Sequence, residues 1–317
     1  MALLAQDISL KEPSLVENQQ VREASQPLSL PWFTGPLISN SGSAYSTGHF
    51  SINHYFYVTT NVGSYTKRWR AKSYPRNFTI VNPQILTYVG IAPGVDINIT
   101  PQFFYQTTSN QKSWSFGDLP IGLDIQLFST DADTYFPGIK LFLLETFPTG
   151  PYQRLNPKKL LTDGSGLGAF NTNIGLVFFK TYHIGGECYL NTYCDLSYSL
   201  NAPISVRGLN VYGGAPGTKG KVTGGNKFEA ICTFELLLNR NWGLAIDNIY
   251  LHANATHFSG KTNVRVGGPS SEQFSFAPAI EYNFNANLGV IAGCWFTAWG
   301  RNSVIFRSGV ANIYYSY

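Results

Sequence analysis

No apolar run in this sequence approaches the length of a membrane-crossing helix. The longest, such as 141-LFLL-144, stop far short of the ~18 residues a helical span needs, so a helical membrane protein is excluded. Charge is scarce as well. Charged residues make up 13% of the chain and aromatics 15%, whereas a soluble domain carries about 25% charged residues. Something other than water covers such a surface. The four cysteines, Cys188, Cys194, Cys232 and Cys294, form no CxxC pair and no zinc spacing. Cys188, Cys194 and Cys232 fall among the apolar positions of their segments, where cysteine behaves as a small hydrophobe. Neither a disulfide nor a metal role is expected of them. The opening MALLAQDISL has only a short apolar stretch and no basic leader, and is not read as a signal peptide. The run 163-DGSGLG-168 lacks the strand–helix context and the lysine of a phosphate loop, and reads as a flexible loop.

What is present is alternation. In 227-KFEAICTFELLLNRNWGLAIDNIYLH-252, Phe228, Ala230, Cys232, Phe234, Leu236 and Leu238 share one parity, while Glu229, Thr233 and Glu235 share the other. After a polar break at Asn239-Arg240-Asn241, Trp242, Leu244 and Ile246 resume one face, with Asp247 opposite. A period of 2 means strands whose two faces meet different surroundings. From Gly48 onward it predicts twelve strands, over about 48–60, 78–90, 94–107, 115–128, 138–150, 167–184, 187–203, 226–239, 242–256, 271–285, 288–300 and 305–317. Residues 1–47 are polar and irregular, with Pro13, Pro27, Pro31 and Pro36 and a short helix over Lys11–Glu23. They are expected to be a periplasmic extension or a partial plug of the lumen, ahead of a barrel over 48–317.

The connections alternate in length. Short breaks lie at 91–93, 185–186, 239–241 and 285–287, and a medium one at 129–137; long polar segments lie at 61–77, 151–166, 204–225 and 257–270. Short turns at one end and long loops at the other are the layout of an outer-membrane barrel. The expected fold class is therefore all-β, a transmembrane antiparallel β-barrel of about 12 strands. A soluble sandwich also alternates, but its polar face mixes both signs of charge, and here that face has almost no Lys or Arg. Strands of this length also exceed the usual mode of about 5–6 residues.

The polar parity class supplies the candidate lumen lining: Asp96, Asn98, Gln102, Asp118, Asp124, Gln126, Glu187, Asn191, Asp195, Glu229, Glu235, Asp247, Glu281 and Asn283. Such a lumen either favours cations and neutral polar solutes or has its carboxylates paired with loop Lys or Arg folded inward. Most of the 22 basic residues lie instead in the long segments, where Asp163 and Glu272 are the acids. Lys67, Arg68, Arg70, Lys72, Arg76, Arg154, Lys158, Lys159, Lys219 and Lys221 form a candidate extracellular basic rim, either simply solvated or meeting lipopolysaccharide phosphates through charge-assisted bonds. Trp69, Trp114, Tyr182, Trp242, Trp295, Trp299 and 314-YYSY-317 lie near strand ends, as interfacial girdles do. Ile313, Tyr315 and Tyr317 share one face of the last strand, which resembles the segment read by the outer-membrane assembly machinery.

Catalysis has weak support. The triplets 49-HFS-51 and 257-HFS-259 each put a base and a hydroxyl on one strand face. The first, however, sits on the polar parity and the second in a Gly-rich loop, so no catalytic residue is assigned. No cofactor, metal or nucleic-acid partner is expected.

The segments 31-PWFTGPL-37, 101-PQFFYQ-106, 115-SFGDLPIGLDIQL-127, 145-ETFPTG-150, 268-GPSSEQFSFAPAIEYNF-284 and 289-GVIAGCWFTAWGRN-302 resemble the transporter-like barrels of the phenol meta-degradation pathway. The GDLPIGLD and SFAPAIEYNF blocks are the most specific, and the likeness runs from about residue 31 to the end. The resemblance implies an outer-membrane channel for small hydrophobic or aromatic molecules and carries no catalytic residues. A structural or surface-contact barrel with a closed lumen is the alternative, and a lipid-acting enzyme a more remote one.

Overall fold

The alternating segments form seventeen strands among the described residues, 32–130 and 135–317 of this computed structural model. The helix expected over Lys11–Glu23 lies outside those residues. In chain order the strands are β1 (Phe50–Tyr65), β2 (Ala71–Ala92), β3 (Val95–Ile99), β4 (Phe103–Thr108), β5 (Gln111–Phe116), β6 (Leu119–Phe128), β7 (Gly138–Phe147), β8 (Asn171–Gly185) and β9 (Cys188–Asn201). There follow β10 (Ile204–Arg207), β11 (Lys219–Thr223), β12 (Lys227–Leu237), β13 (Trp242–Ala253), β14 (His257–Lys261), β15 (Ser271–Asn283), β16 (Leu288–Arg301) and β17 (Val304–Ser316).

The main sheet runs β1-β17-β16-β15-β13-β12-β9-β8-β7-β6-β3-β2, and β1 also pairs antiparallel with β2, so it closes into a barrel of twelve staves. Closure removes the open sheet edge that a membrane does not tolerate. The third and fourth staves, expected as unbroken strands, are each interrupted: β3 gives way to β4, and β5 to β6. Pro101 has no N–H for the ladder, and Gly117-Asp118 interrupts the facing stave. Thr100 N still donates to Pro120 O and Gly117 N to Gln102 O, so the wall stays sealed. Much of the expected 61–77 loop is strand. β1 and β2 run well past the neighbouring strands and turn at Thr66–Arg70, with Trp69 at φ 62°. Lys72 and Arg76 therefore stand on β2 rather than in a loop.

The polarity of the wall is inverted relative to a soluble protein. Phe56, Ile97, Leu196, Phe234, Leu244 and Ile280 are exposed, while their polar neighbours Asn53, Asp96, Asp195, Glu235, Asp247 and Glu281 are buried. Lipid takes the apolar parity and the interior takes the polar one.

The lumen is not uniformly polar, however. Inward positions of β12 through β17 include Ile231, Ala245, Ile249, Ala277, Ala279, Ile291 and Val310, which cluster around Leu37. At the long-loop end, β10, β11 and β14 make a separate three-stranded sheet that the alternation did not predict. The loop of residues 148–170 leans on inward-facing side chains: Gln106 Nε2 donates to Gly164 O, and Ser113 Oγ shares a hydrogen bond with Thr162 Oγ1. Burial pushes the Tyr212 phenol up to about 12. It thus stays protonated and donates to Leu167 O, tying two of these loops together.

Candidate functional site

Residues 32–49 precede the first stave and hold no regular secondary structure of their own. Their backbone N–H groups therefore need partners, and the inward carboxylates supply them. Thr34 N donates to Glu281 Oε1, Ile38 N to Asp247 Oδ2 at 3.0 Å, Asn40 N to Asp195 Oδ2 at 2.8 Å and Tyr45 N to Asp96 Oδ2 at 2.7 Å. Asn40 Nδ2 adds a second bond to Asp195, and Ala44 N donates to Gln126 Oε1. Gly48 N then reaches Gly90 O on β2. In segment order the partners belong to β15, β13, β9, β6, β3 and β2, a steady progression around the wall. The segment forms an internal belt. Its apolar anchor is Leu37, fully buried in the Ile231–Ala277–Ile291–Val310 cluster. At its start Asn283 Nδ2 donates to Trp32 O, and Arg240 lies over the Trp32 ring at 5.5 Å.

A buried ion pair sits beside the belt. Lys140 Nζ lies 2.9 Å from Asp124 Oδ2, with side-chain exposures of 0% and 6%, and it also approaches Ser41 Oγ at 3.4 Å. Alternation did not single out Lys140, because 139-IKLFLLETF-147 is apolar on both parities.

The other candidate lining residues distribute as follows. Glu235 is buried and accepts from Asn191 Nδ2 and Tyr193 OH. Asp118 is buried where it accepts from Gly150 N and Leu167 N, so it organises a long loop. Gln102 is half-buried and donates to Asp118 O. Asn98 is buried against Gly122, directly across the β3–β6 pair. Glu229 is half-buried on β12. Glu187 is a correction: it lies exposed in the turn after Gly185-Gly186, one residue before β9 begins. Positive φ at both glycines starts the turn early and takes this carboxylate off the inner wall.

Of the basic residues, Lys67, Arg68, Arg70, Lys72, Arg76, Arg154, Lys158, Lys219 and Lys221 are exposed. Lys159 is half-buried, with Nζ donating to Ser113 Oγ. In the loop sheet Arg207 faces Lys219, and Lys219 faces Lys261. Lys221 follows two residues on, so four cations share one face, while Val206 and Val222 are buried on the other.

Two spaces remain. A chamber of about 250 Å³ lies between the belt and the rings of Tyr45, Tyr55, Tyr57 and Tyr88. A cleft of about 910 Å³ opens at the β16–β17 seam, lined by Trp295, Thr297, Phe306 and Ser308 from the inner parity and by Phe296 and Gly309 from the outer. There the backbone ladder ends at Phe296↔Arg307. Beyond that point the Thr297 hydroxyl takes the place of backbone, donating to Val304 O and accepting from Phe306 N. No hydrogen bond joins His49 to Ser51, and the imidazole stacks on Tyr45 at 4.4 Å instead. His257 and Ser259 are exposed on β14 of the loop sheet. No group of His, Cys, Asp or Glu among the described residues is arranged to hold a metal.

A closed antiparallel barrel with an apolar exterior and a charged interior decides the class. The fold is that of an outer-membrane barrel. The chain is similar to the crystal structure of an outer membrane channel from Pseudomonas putida F1, with 12% identity, a TM-score of 0.66, and coverage of 88% of this chain and 99% of that one. More distantly it resembles the β domain of the Bordetella autotransporter BrkA, at 11% identity, a TM-score of 0.49, and coverage of 85% and 99%. It also resembles the translocator domain of the autotransporter NalP from Neisseria meningitidis, at 10% identity, a TM-score of 0.45, and coverage of 88% and 90%. No protein-family model and no curated protein matches the sequence.

Proposed function

We propose that this barrel passes small hydrophobic or aromatic molecules across a bacterial outer membrane, as the transporter-like barrels of the phenol meta-degradation pathway are expected to do. The observation that carries the reading is the aromatic cleft at the β16–β17 seam, which is lined from both faces of the wall where the ladder is interrupted. The belt, bonded along the inner wall, takes up part of the lumen that a hydrophilic solute would cross. The tyrosine-lined chamber of about 250 Å³ is roomy enough for a single ring, since an engineered apolar cavity of about 150 Å³ takes up benzene. The similarity to a Pseudomonas putida outer membrane channel agrees with this reading without specifying a solute.

The test is entry of a hydrophobic fluorescent dye, such as N-phenylnaphthylamine, into whole cells whose lipopolysaccharide layer excludes it. Cells displaying the folded barrel should take up the dye several-fold faster than cells lacking it. A Cβ at Gly309 meets nothing within 4 Å, so the backbone there accepts a side chain, and Gly309→Trp places an indole at the outer mouth of the cleft. That variant should return uptake to background. Equal dye entry with and without the wild-type barrel would sink the proposal.

The basic face of the loop sheet supports a second part of the reading, a contact with lipopolysaccharide. Like charges directly across a sheet repel, and Arg207, Lys219 and Lys261 are stacked in that way. Phosphates from neighbouring lipid relieve the repulsion. Replacing these three and Lys221 with Gln should weaken co-sedimentation with lipopolysaccharide vesicles at low salt, and the loss should shrink as salt rises. Unchanged co-sedimentation would remove this contact. The outward Ile313, Tyr315 and Tyr317 of the closing strand are the surface offered to the assembly machinery.

A further inference from the structure

β9 and β12 are neighbours in the wall, although β10, β11 and a long loop separate them in sequence. Near the middle of both strands Cys194 and Cys232 face each other in register, with their sulfurs 3.8 Å apart. Both belong to the outward parity; Cys232 is exposed and Cys194 half-buried.

The kind of pair decides whether the sulfurs can bond. Leu238 N donates to Trp242 O, which makes that a hydrogen-bonded pair of β12 with β13. The β12–β13 register runs without a shift, and alternate residues direct their N–H and C=O the same way. Leu236, Phe234 and Cys232 therefore also turn their backbone groups toward β13. Asn248 Nδ2, donating to Cys232 O at 2.9 Å from β13, agrees. Toward β9, then, Cys232 offers no backbone bond, and Cys194–Cys232 is a non-hydrogen-bonded pair. In such pairs the Cα atoms are about 4.5 Å apart, inside the 4.4–6.8 Å that a disulfide spans. The other two thiols have no such partner: Cys188 donates to Leu238 O at the start of β9, and Cys294 stands on β16.

We propose that Cys194 and Cys232 are joined by a disulfide in the mature protein. Sequence spacing argued against any pairing; the register creates it. One thiolate attacks the disulfide of an oxidising partner, such as a thiol–disulfide oxidoreductase or oxidised glutathione, and forms a mixed disulfide. The second thiolate then attacks the protein sulfur and releases the partner's thiol. In net terms both cysteine protons leave, and two electrons pass to the partner, which ends as two thiols. Both sulfurs sit on the apolar exterior, so the bond forms before lipid covers it and afterwards is shielded from water-soluble reductants. This last point rests on the outer-membrane reading; the bond itself rests on the register alone.

The test refolds the full chain in detergent micelles with a mixture of oxidised and reduced glutathione, then blocks free thiols with an alkylating reagent and maps the peptides by mass. The expected result is a Cys194–Cys232 cross-linked peptide, with Cys188 and Cys294 alkylated. Cys232→Ser should leave Cys194 alkylated in a barrel that still shows the heat-dependent gel shift of a folded barrel. Alkylation of both Cys194 and Cys232 in a folded, gel-shifting wild-type barrel overturns the proposal. A cross-link that forms in micelles and is cut by a water-soluble reductant after reconstitution into lipid retains the bond and overturns only its shielding.

Discussion

Lys140→Met should destabilise the folded barrel by about 3–5 kcal/mol, the cost of leaving a buried charge without its partner. Lys140 is fully buried and bonds Asp124 at 2.9 Å. Removing the ammonium leaves the Asp124 carboxylate behind, with 6% of its side chain exposed and no other cation bonded to it among the described residues. The double variant Lys140→Met/Asp124→Leu should recover most of that loss, because a well-packed apolar pair is often as stable as the ion pair it replaces. Urea unfolding of the refolded protein in detergent, followed by tryptophan fluorescence, reads both. If the single variant unfolds at the wild-type urea concentration, the pair contributes nothing. If the double variant is as weak as the single one, packing around Lys140 matters and its charge does not.

Deleting residues 1–47 should turn a nearly silent barrel into one with cation-selective steps in a planar bilayer, with conductance at least several-fold above the full chain. Backbone N–H groups of the belt hold Glu281, Asp247, Asp195 and Asp96, and a hydrogen bond to a charged acceptor contributes about 1.5–3 kcal/mol. Without the belt, these carboxylates face the space it occupied and attract cations. Leu37→Asp in the full chain is a milder version, since it puts a charge into the apolar cluster that anchors the segment and should produce flickering openings. Silence from a truncated protein that still shows the gel shift of a folded barrel would show that the loops, not the belt, close the lumen.

The alternation made most of this wall legible in advance. A period of 2 depends only on which residues meet lipid, so the staves emerged from segments such as Glu229–Leu238 without any knowledge of their partners. The parts that depend on long-range pairing did not emerge. Residues 32–49 have no period, because their partners are scattered over β2 to β15 and their own side chains follow no face. Lys140 was hidden in a stretch that is apolar on both parities. Parity places Glu187 on the wall, and the Gly185-Gly186 turn takes it out. The apolar arc around Leu37 is not legible in the sequence, because Ala and Ile on a strand look the same whether they face lipid or a neighbouring segment. The loop sheet is built from strands as short as Ile204–Arg207, too brief for a period to register.

The belt is made before the staves that hold it. Thr34 leaves the ribosome long before Glu281 and Asn283 exist, yet it bonds both, across 247 and 249 positions of sequence. Ile38 likewise waits for Asp247. Moreover, the partners follow one another around the wall in reverse chain order, so a missing or misplaced stave breaks the series at that point. The full series of these bonds can therefore form only in a cylinder whose late strands are present, in register and closed.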